Sequence, residues 1–264
     1  MLEPFLYSFA GLFVGVMVGL TGVGGGSLMT PILVLLFGQS PAIAVGTDLV
    51  FSATTKLVAT ASFGYSRRVD WPIVGRLALG SIPGAGAVAL WFYLTRGSAG
   101  VIESVIAHAL AIILAVAAVA LLLQRPLRLL GVKLTASWLE RAERITLPLT
   151  IVAGLLVGVG VTLTSVGAGA LGVVALFALY PLRLTGDRLV ATDIAHALPV
   201  TIIAATSHAL LGHVNPTVLA YLLIGSVPGV VLSSRAAIRL PAQLTNSLIA
   251  VMLAVVSGRM LFGK

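Results

Sequence analysis

Thr21-Gly22-Val23-Gly24-Gly25-Gly26-Ser27 interrupts an apolar stretch running from about residue 5 to 37, and Thr164-Ser165-Val166-Gly167-Ala168-Gly169-Ala170 interrupts another from about 147 to 180. Each motif follows a small-residue pair, Gly11-xxx-Gly15 in the first case and Gly154-xxx-Gly158 in the second. Downstream, Thr47-Asp48 recurs as Thr192-Asp193, and Gly80-Ser81-Ile82-Pro83-Gly84 recurs as Gly225-Ser226-Val227-Pro228-Gly229. Between 47 and 84, roughly ten positions recur identically at one offset of about 145 residues, too many in order for composition to explain. The chain reads as a duplicated unit, and a duplicated, glycine-interrupted membrane unit is a common transporter design.

Composition places that unit in a bilayer. Hydrophobic residues make up 59% and charged residues 9%, with a mean hydropathy of +1.12, against about 25% charged in soluble domains. The formal net charge is +8, but the basic residues are sparse and sit at the ends of apolar segments, so they read as a topology signal and no nucleic-acid partner is expected. The first segment carries Glu3 and no Lys or Arg. It lacks the basic region of a cleaved signal peptide and is expected to stay in the mature chain. The absence of cysteine excludes disulfides, thiolate metal sites and cysteine redox chemistry, and no metal or cofactor is expected.

Apolar stretches of spanning length run from about 41 to 64, 72 to 94, 101 to 123, 186 to 211, 216 to 234 and 242 to 262. The two glycine-interrupted stretches are too long for one helix. Between the halves, Arg125, Arg128, Lys133, Arg141 and Arg144 with Glu140 and Glu143 form a basic linker, placed in the cytoplasm by the enrichment of Lys and Arg in inside loops. The expected organisation is a first membrane repeat over 1–123, a linker over 124–146 and a second repeat over 147–264.

Two topologies compete. If each long stretch crosses once, the repeats are parallel, and Arg183, Arg188, Arg235 and Arg239 fall outside while Arg67 and Arg68 fall inside. If each folds back at its glycines, every repeat has an odd number of crossings and the second is inverted. All of these arginines then face the cytoplasm, and Arg96 is left as the clearest basic loop residue outside. The charge distribution favours the second arrangement: an all-α polytopic membrane protein of two inverted repeats, each with a broken or re-entrant first segment followed by three transmembrane helices.

After Ser27 only about ten apolar residues remain before Phe37-Gly38-Gln39-Ser40, about 15 Å of helix. This half-helix would begin inside the membrane, where free backbone amides and the positive dipole end hold an anion without a charged side chain. Thr21, Gly22, Gly24, Gly25, Gly26 and Ser27, with Thr164, Ser165, Gly167 and Gly169, are therefore candidate substrate-binding residues. The alternative use of such glycines is tight helix packing, the reading given to Gly11, Gly15, Gly19, Gly154 and Gly158. No Lys follows the glycines, so the motif is not a nucleotide loop.

Ser40-Pro41 reads as a helix start, which puts Asp48 about 10 Å inside the helix. An acid at that depth is functional or paired by default, and Asp193 holds the matching place. Lys56 could balance an anion or pair with Asp48, or snorkel to the interface; its repeat equivalent is Thr201. His196 and His208 are candidate proton relays, set against the commoner buried histidine that is simply hydrogen-bonded. Asp48, Asp193, His196 and His208 are thus the coupling or gating candidates. Ser52, Thr54, Thr55, Ser62 and Ser207 could line a polar path or bond their own backbones.

Gly-Leu-Thr-Gly-Val-Gly-Gly-Gly at 19–26, Val45-Gly46-Thr47-Asp48-Leu49 with Lys56 downstream, and Val69-Asp70-Trp71 together resemble the sulfite exporter TauE/SafE family of membrane permeases. The resemblance implies a multi-pass permease of the bacterial plasma (inner) membrane for small anions of the sulfite, sulfonate and sulfoacetate class. The function expected is therefore secondary transport by alternating access at a midplane site, not enzymatic catalysis, with the bilayer and a small anionic substrate as partners. A coupled proton or sodium ion and a homodimer are compatible with this reading. The alternatives are a passive anion channel, a non-transporting membrane subunit, and an intramembrane hydrolase using Ser165 or Ser207 with His196 or His208. No Gly-x-Ser-Gly nucleophile turn lies in a membrane segment to support the last.

Overall fold

The computed structural model describes residues 3–21, 26–63, 69–123, 126, 129, 139–166, 169, 171–184, 187–235, 250–251, 253–255 and 257–260. All regular structure among them is helical, as an apolar chain requires when its backbone groups must be satisfied within each segment. In chain order the helices are α1 (Glu3–Thr21), α2 (Gly26–Leu35), α3 (Pro41–Phe63), α4 (Trp71–Thr95), α5 (Ala99–Leu122), α6 (Leu139–Thr164), α7 (Gly172–Leu179), α8 (Asp187–Leu210) and α9 (Pro216–Arg235). Among the described residues, six stretches are long and apolar enough to cross a membrane: Pro41–Ala59, Trp71–Thr95, Ala99–Leu122, Ile145–Thr164, Arg188–Leu210 and Pro216–Ser233. Large apolar side chains such as Leu79, Leu90, Leu94, Leu156, Ile224 and Leu232 point outward, a surface that only lipid or another protein covers stably. The chain is a multi-pass membrane protein.

The first long stretch folds back on itself. Tyr7 near the start of α1 stacks on Phe37 just after α2, with ring centroids 4.1 Å apart, and the Tyr7 hydroxyl accepts a hydrogen bond from Gln39 Nε2 at 3.3 Å. The second stretch closes in the same way, the Thr150 hydroxyl meeting the Tyr180 hydroxyl at 2.8 Å. Helix α2 has 10 residues and α7 has 8, so both are half-helices. Helix α3 starts at Pro41, as the Ser40-Pro41 pair predicts, whereas α6 starts at Leu139, inside the expected linker.

The small-residue motifs join the repeats to each other. A Cβ on Gly11 would overlap the Leu222 carbonyl, and one on Gly15 the Ser226 carbonyl; in the other half, Gly154 meets Leu77 and Gly158 meets Ser81. Leu222 and Ser226 are the repeat equivalents of Leu77 and Ser81, so the parallel pair α1–α9 is reproduced by α6–α4. Glycine is needed because the backbones approach too closely for any side chain. At the centre, α3 and α8 run antiparallel. Thr47 Oγ1 at the start of α3 accepts from Asn215 N beyond the end of α8 at 3.0 Å, and Thr192 Oγ1 near the start of α8 accepts from Asp70 N beyond α3, also at 3.0 Å. These two bonds are again repeat equivalents of one another.

Asp70 is the N-cap residue of α4, its carbonyl accepting from Ile73 N at 3.0 Å and Val74 N at 3.1 Å. Its side chain makes no cap bond and turns instead to the second repeat. Arg183 Nε donates to Oδ2 at 2.7 Å, Arg183 Nη2 to Oδ1 at 2.8 Å and Arg188 Nη2 to Oδ2 at 3.0 Å. Burial alone would raise this carboxyl, but the Arg183 hydrogen bond and the two guanidinium charges outweigh it and hold the group below its ordinary 3.8.

Candidate functional site

Asp48, Lys56, Asp193 and His196 come together where α3 crosses α8, and all four are buried. Residues 44–52 of α3 are buried almost without interruption because helices surround it, so its polar side chains are forced into contact with partners. Asp48 is satisfied from two sides. Thr30 of α2 donates through its amide at 3.1 Å and through its hydroxyl at 2.5 Å, both to Oδ2, while Ser52 one turn along α3 donates to Oδ1 at 3.2 Å.

Asp193 is held differently: its Oδ1 has no hydrogen-bond partner. The positions matching Thr30 and Ser52 in the second repeat are Val173 and Ala197, whose side chains carry no donor. Lys56 is 1% exposed, which overturns the snorkelling alternative, and its ammonium lies within electrostatic reach of both acids and of His196. Lys56 Nζ also lies 3.5 Å from Thr201 Oγ1. Lys56 and Thr201 are repeat equivalents, and a position that touches its own equivalent lies on the axis relating the two halves.

His196 Nε2 lies 2.8 Å from Ser81 Oγ of α4, and its Nδ1 is unpartnered. Ser226, the equivalent of Ser81, is buried with an unpartnered hydroxyl; the residue matching His196 is Phe51, which offers that hydroxyl no partner. His208 is not part of this cluster. Its Nε2 meets Thr162 O at 2.8 Å, its Nδ1 faces His213 Nδ1 at 3.3 Å and Phe92 packs edge-on against it, so among the described residues it is the hydrogen-bonded core histidine of the alternative reading.

Of the first glycine loop, Gly22, Gly24 and Gly25 and the Thr21 and Ser27 side chains lie outside the described residues, and Gly26 opens α2. In the second loop Gly167 lies outside them as well. Thr164 Oγ1 donates to Gly160 O at 2.8 Å and accepts from Val166 N at 3.3 Å, so this hydroxyl finishes its own helix. Ser165, which replaces Gly22, has a left-handed backbone at φ 62° and a buried Oγ that faces the Asp48 carboxylate without full hydrogen-bond geometry. A serine in that region is strained, and such strain concentrates at ligand sites. Gly169, at φ 143°, holds a conformation open only to glycine.

Neither hydrolase pair forms among the described residues. His196 takes Ser81, and Ser207 donates to Ala204 O of its own helix at 2.8 Å. Thr54 and Thr55 likewise bond their own helix, to Val50 O and Ser52 O, while Ser62 lies outside the residues whose side chains are described. Sequence reasoning missed Thr30, Ser81 and Ser226 as site residues, although Ser81 and Ser226 stand inside the repeated Gly-Ser-x-Pro-Gly motif. It also missed Asp70, whose arginine partners were read only as topology markers.

The chain matches the sulfite exporter TauE/SafE family over residues 7–260. It is 39% identical over 228 residues to the Bacillus subtilis (strain 168) protein named "Probable membrane transporter protein YjnA", covering 85% of this chain and 86% of that protein. A second protein of that strain, "Probable membrane transporter protein YunE", is 35% identical over 104 residues, or 37% of this chain and 35% of its own length. A "Probable membrane transporter protein" of Xylella fastidiosa (strain 9a5c) is 30% identical over 79 residues, 30% of each chain. No solved structure matches. With a match across nearly its whole length, this chain belongs to the sulfite exporter TauE/SafE family.

Proposed function

We propose that this protein is a secondary transporter of small oxyanions of the sulfite, sulfonate and sulfoacetate class in the bacterial inner membrane, working by alternating access between two inverted repeats. The observation that carries the reading is Lys56 on the repeat axis, touching its equivalent Thr201 with an acid of each repeat beside it. A binding charge on that axis stays at the centre while the two halves exchange conformations, and this geometry suits a carrier. Inversion is supported by the antiparallel α3–α8 pair and by the Asp70–Arg183 ion pair. In the parallel arrangement these two residues would face opposite sides of an apolar core about 30 Å thick, too far apart to bond at 2.7 Å.

The anion would meet the Lys56 ammonium, the free amides expected where the half-helices begin, and the hydroxyls of Ser165 and Ser226. Such donors in a dry site favour a small anion without needing a pocket of net positive charge. The test is counterflow in proteoliposomes with labelled sulfite, sulfoacetate and sulfate separately, comparing wild type with Lys56→Met. Saturable exchange of one anion is expected, weakened about ten- to hundredfold in the variant, the range for losing a hydrogen bond to a charged group. Flux without saturation or counterflow would indicate a channel, and unchanged exchange in the variant would remove Lys56 from the site.

A further inference from the structure

The two acids are not equivalent, and the difference identifies a proton site; the inference rests on the anion-carrier reading. Asp48 accepts two bonds at Oδ2 from Thr30 and one at Oδ1 from Ser52, and these donors favour its ionised form. Asp193 has Oδ1 buried and unpartnered because Val173 and Ala197 replace those donors. The charged and titratable groups around it are Lys56 of α3 and, across the same ammonium, Asp48 of α3 and His196 of its own helix. Helices α4, α6 and α7 also pack on α8 and set no further charge beside Asp193 among the described residues.

We infer that Asp193 alone carries the coupling proton, and that its protonation releases Lys56 from Asp193 so that the ammonium can hold the anion. With Asp193 ionised, Lys56 sits between two carboxylates and an incoming anion is repelled. When one proton from water binds Oδ1, the side chain becomes neutral, and the Asp48–Lys56 pair can accept one negative charge without leaving the site strongly anionic. Proton and anion each favour the other's binding, and the coupling is reciprocal. One proton therefore crosses with each anion in the same direction. A sodium ion fits less well, because it needs several oxygens around it and would lie beside an ammonium. Asp48 stays ionised, balancing Lys56 and tying α2 to α3 through Thr30.

The experiment uses the full chain in proteoliposomes, with labelled sulfite or sulfoacetate (whichever exchanges) and an imposed gradient of one pH unit, acidic outside. Wild type is expected to concentrate the anion transiently up to about tenfold, the limit for one proton per anion. Asp193→Asn, a fixed neutral side chain, should keep counterflow and lose accumulation, whereas Ser52→Ala, which leaves both carboxylates in place, should keep both. Undiminished accumulation in Asp193→Asn, or its selective loss in Ser52→Ala with counterflow intact, overturns the assignment. If wild type exchanges neither anion, the anion reading fails, and the proton site is read by infrared titration of the purified protein. A protonated-carboxyl band that grows on acidification should be absent from Asp193→Asn and shifted in Asp193→Glu; an unaltered band in both overturns it.

Discussion

A buried carboxylate at membrane depth costs about 2.5–3.5 kcal/mol on insertion scales, so each one needs a physical account. For Asp48 the account is Thr30, whose hydroxyl donates at 2.5 Å. Thr30→Val removes that donor while keeping the shape, and is expected to destabilise the purified protein by about 1–3 kcal/mol, the cost of an unsatisfied buried group, read as a lower melting temperature; an unchanged melt would mean that Asp48 finds another donor. Val173→Thr, the reverse exchange in the second repeat, should supply a donor near Asp193 and blunt proton coupling without lowering the melt. The acids and Lys56 were legible from sequence because charge stands out in apolar text. Thr30, Ser81 and Ser226 were not, because a helical hydroxyl commonly bonds its own backbone, as Thr54, Thr55 and Ser207 do here. Whether a hydroxyl instead reaches a neighbouring helix depends on rotation about the helix axis, which one chain of letters does not carry.

Among the elements, the glycine-faced pairs hold the two repeats together. Gly11→Leu and Gly154→Leu would each drive a side chain into the carbonyl of the partner helix and should cost at least the 1–3 kcal/mol (roughly) of overpacking, with loss of monodisperse protein on gel filtration. Gly86→Leu, on the same helix as Gly80 but facing open space, should behave as wild type; equal damage from all three would contradict this packing. Close approach at Gly11, Gly15, Gly154 and Gly158 was readable from their four-residue spacing. Their partners were not, since spacing says that a backbone comes near without saying whose. The half-helices were legible from length alone: about ten apolar residues do not cross a bilayer, and α2 has 10.

Across the whole molecule the duplication is close in architecture and unequal in chemistry. One face is bridged by Asp70 with Arg183 and Arg188; on the other, the position matching Asp70 is Asn215, whose Oδ1 caps α9 through Val218 N at 3.1 Å. Because the Asp70 carboxyl is held below its ordinary 3.8, its contribution to stability is complete above that pH and is lost as the pH falls through the lowered value. Asp70→Asn should therefore flatten the acid limb of a stability–pH curve; an identical limb would mean the ion pair adds nothing. His213, lowered from 6.5 by burial despite the opposing charge of Glu103, adds a second loss as the pH falls below 6.5, which His213→Gln should remove. The balance of loop arginines favours inversion, but it says nothing of the bridge, which joins residues over a hundred positions apart. The most direct test of alternating access is at that bridge: Asp70→Cys with Arg183→Cys in this cysteine-free chain, joined by a short reducible bifunctional thiol reagent, with sulfite or sulfoacetate counterflow measured before and after reduction. The account predicts that linking the halves stops exchange and that reduction restores it, while exchange that continues in the linked protein would contradict a carrier that must open there.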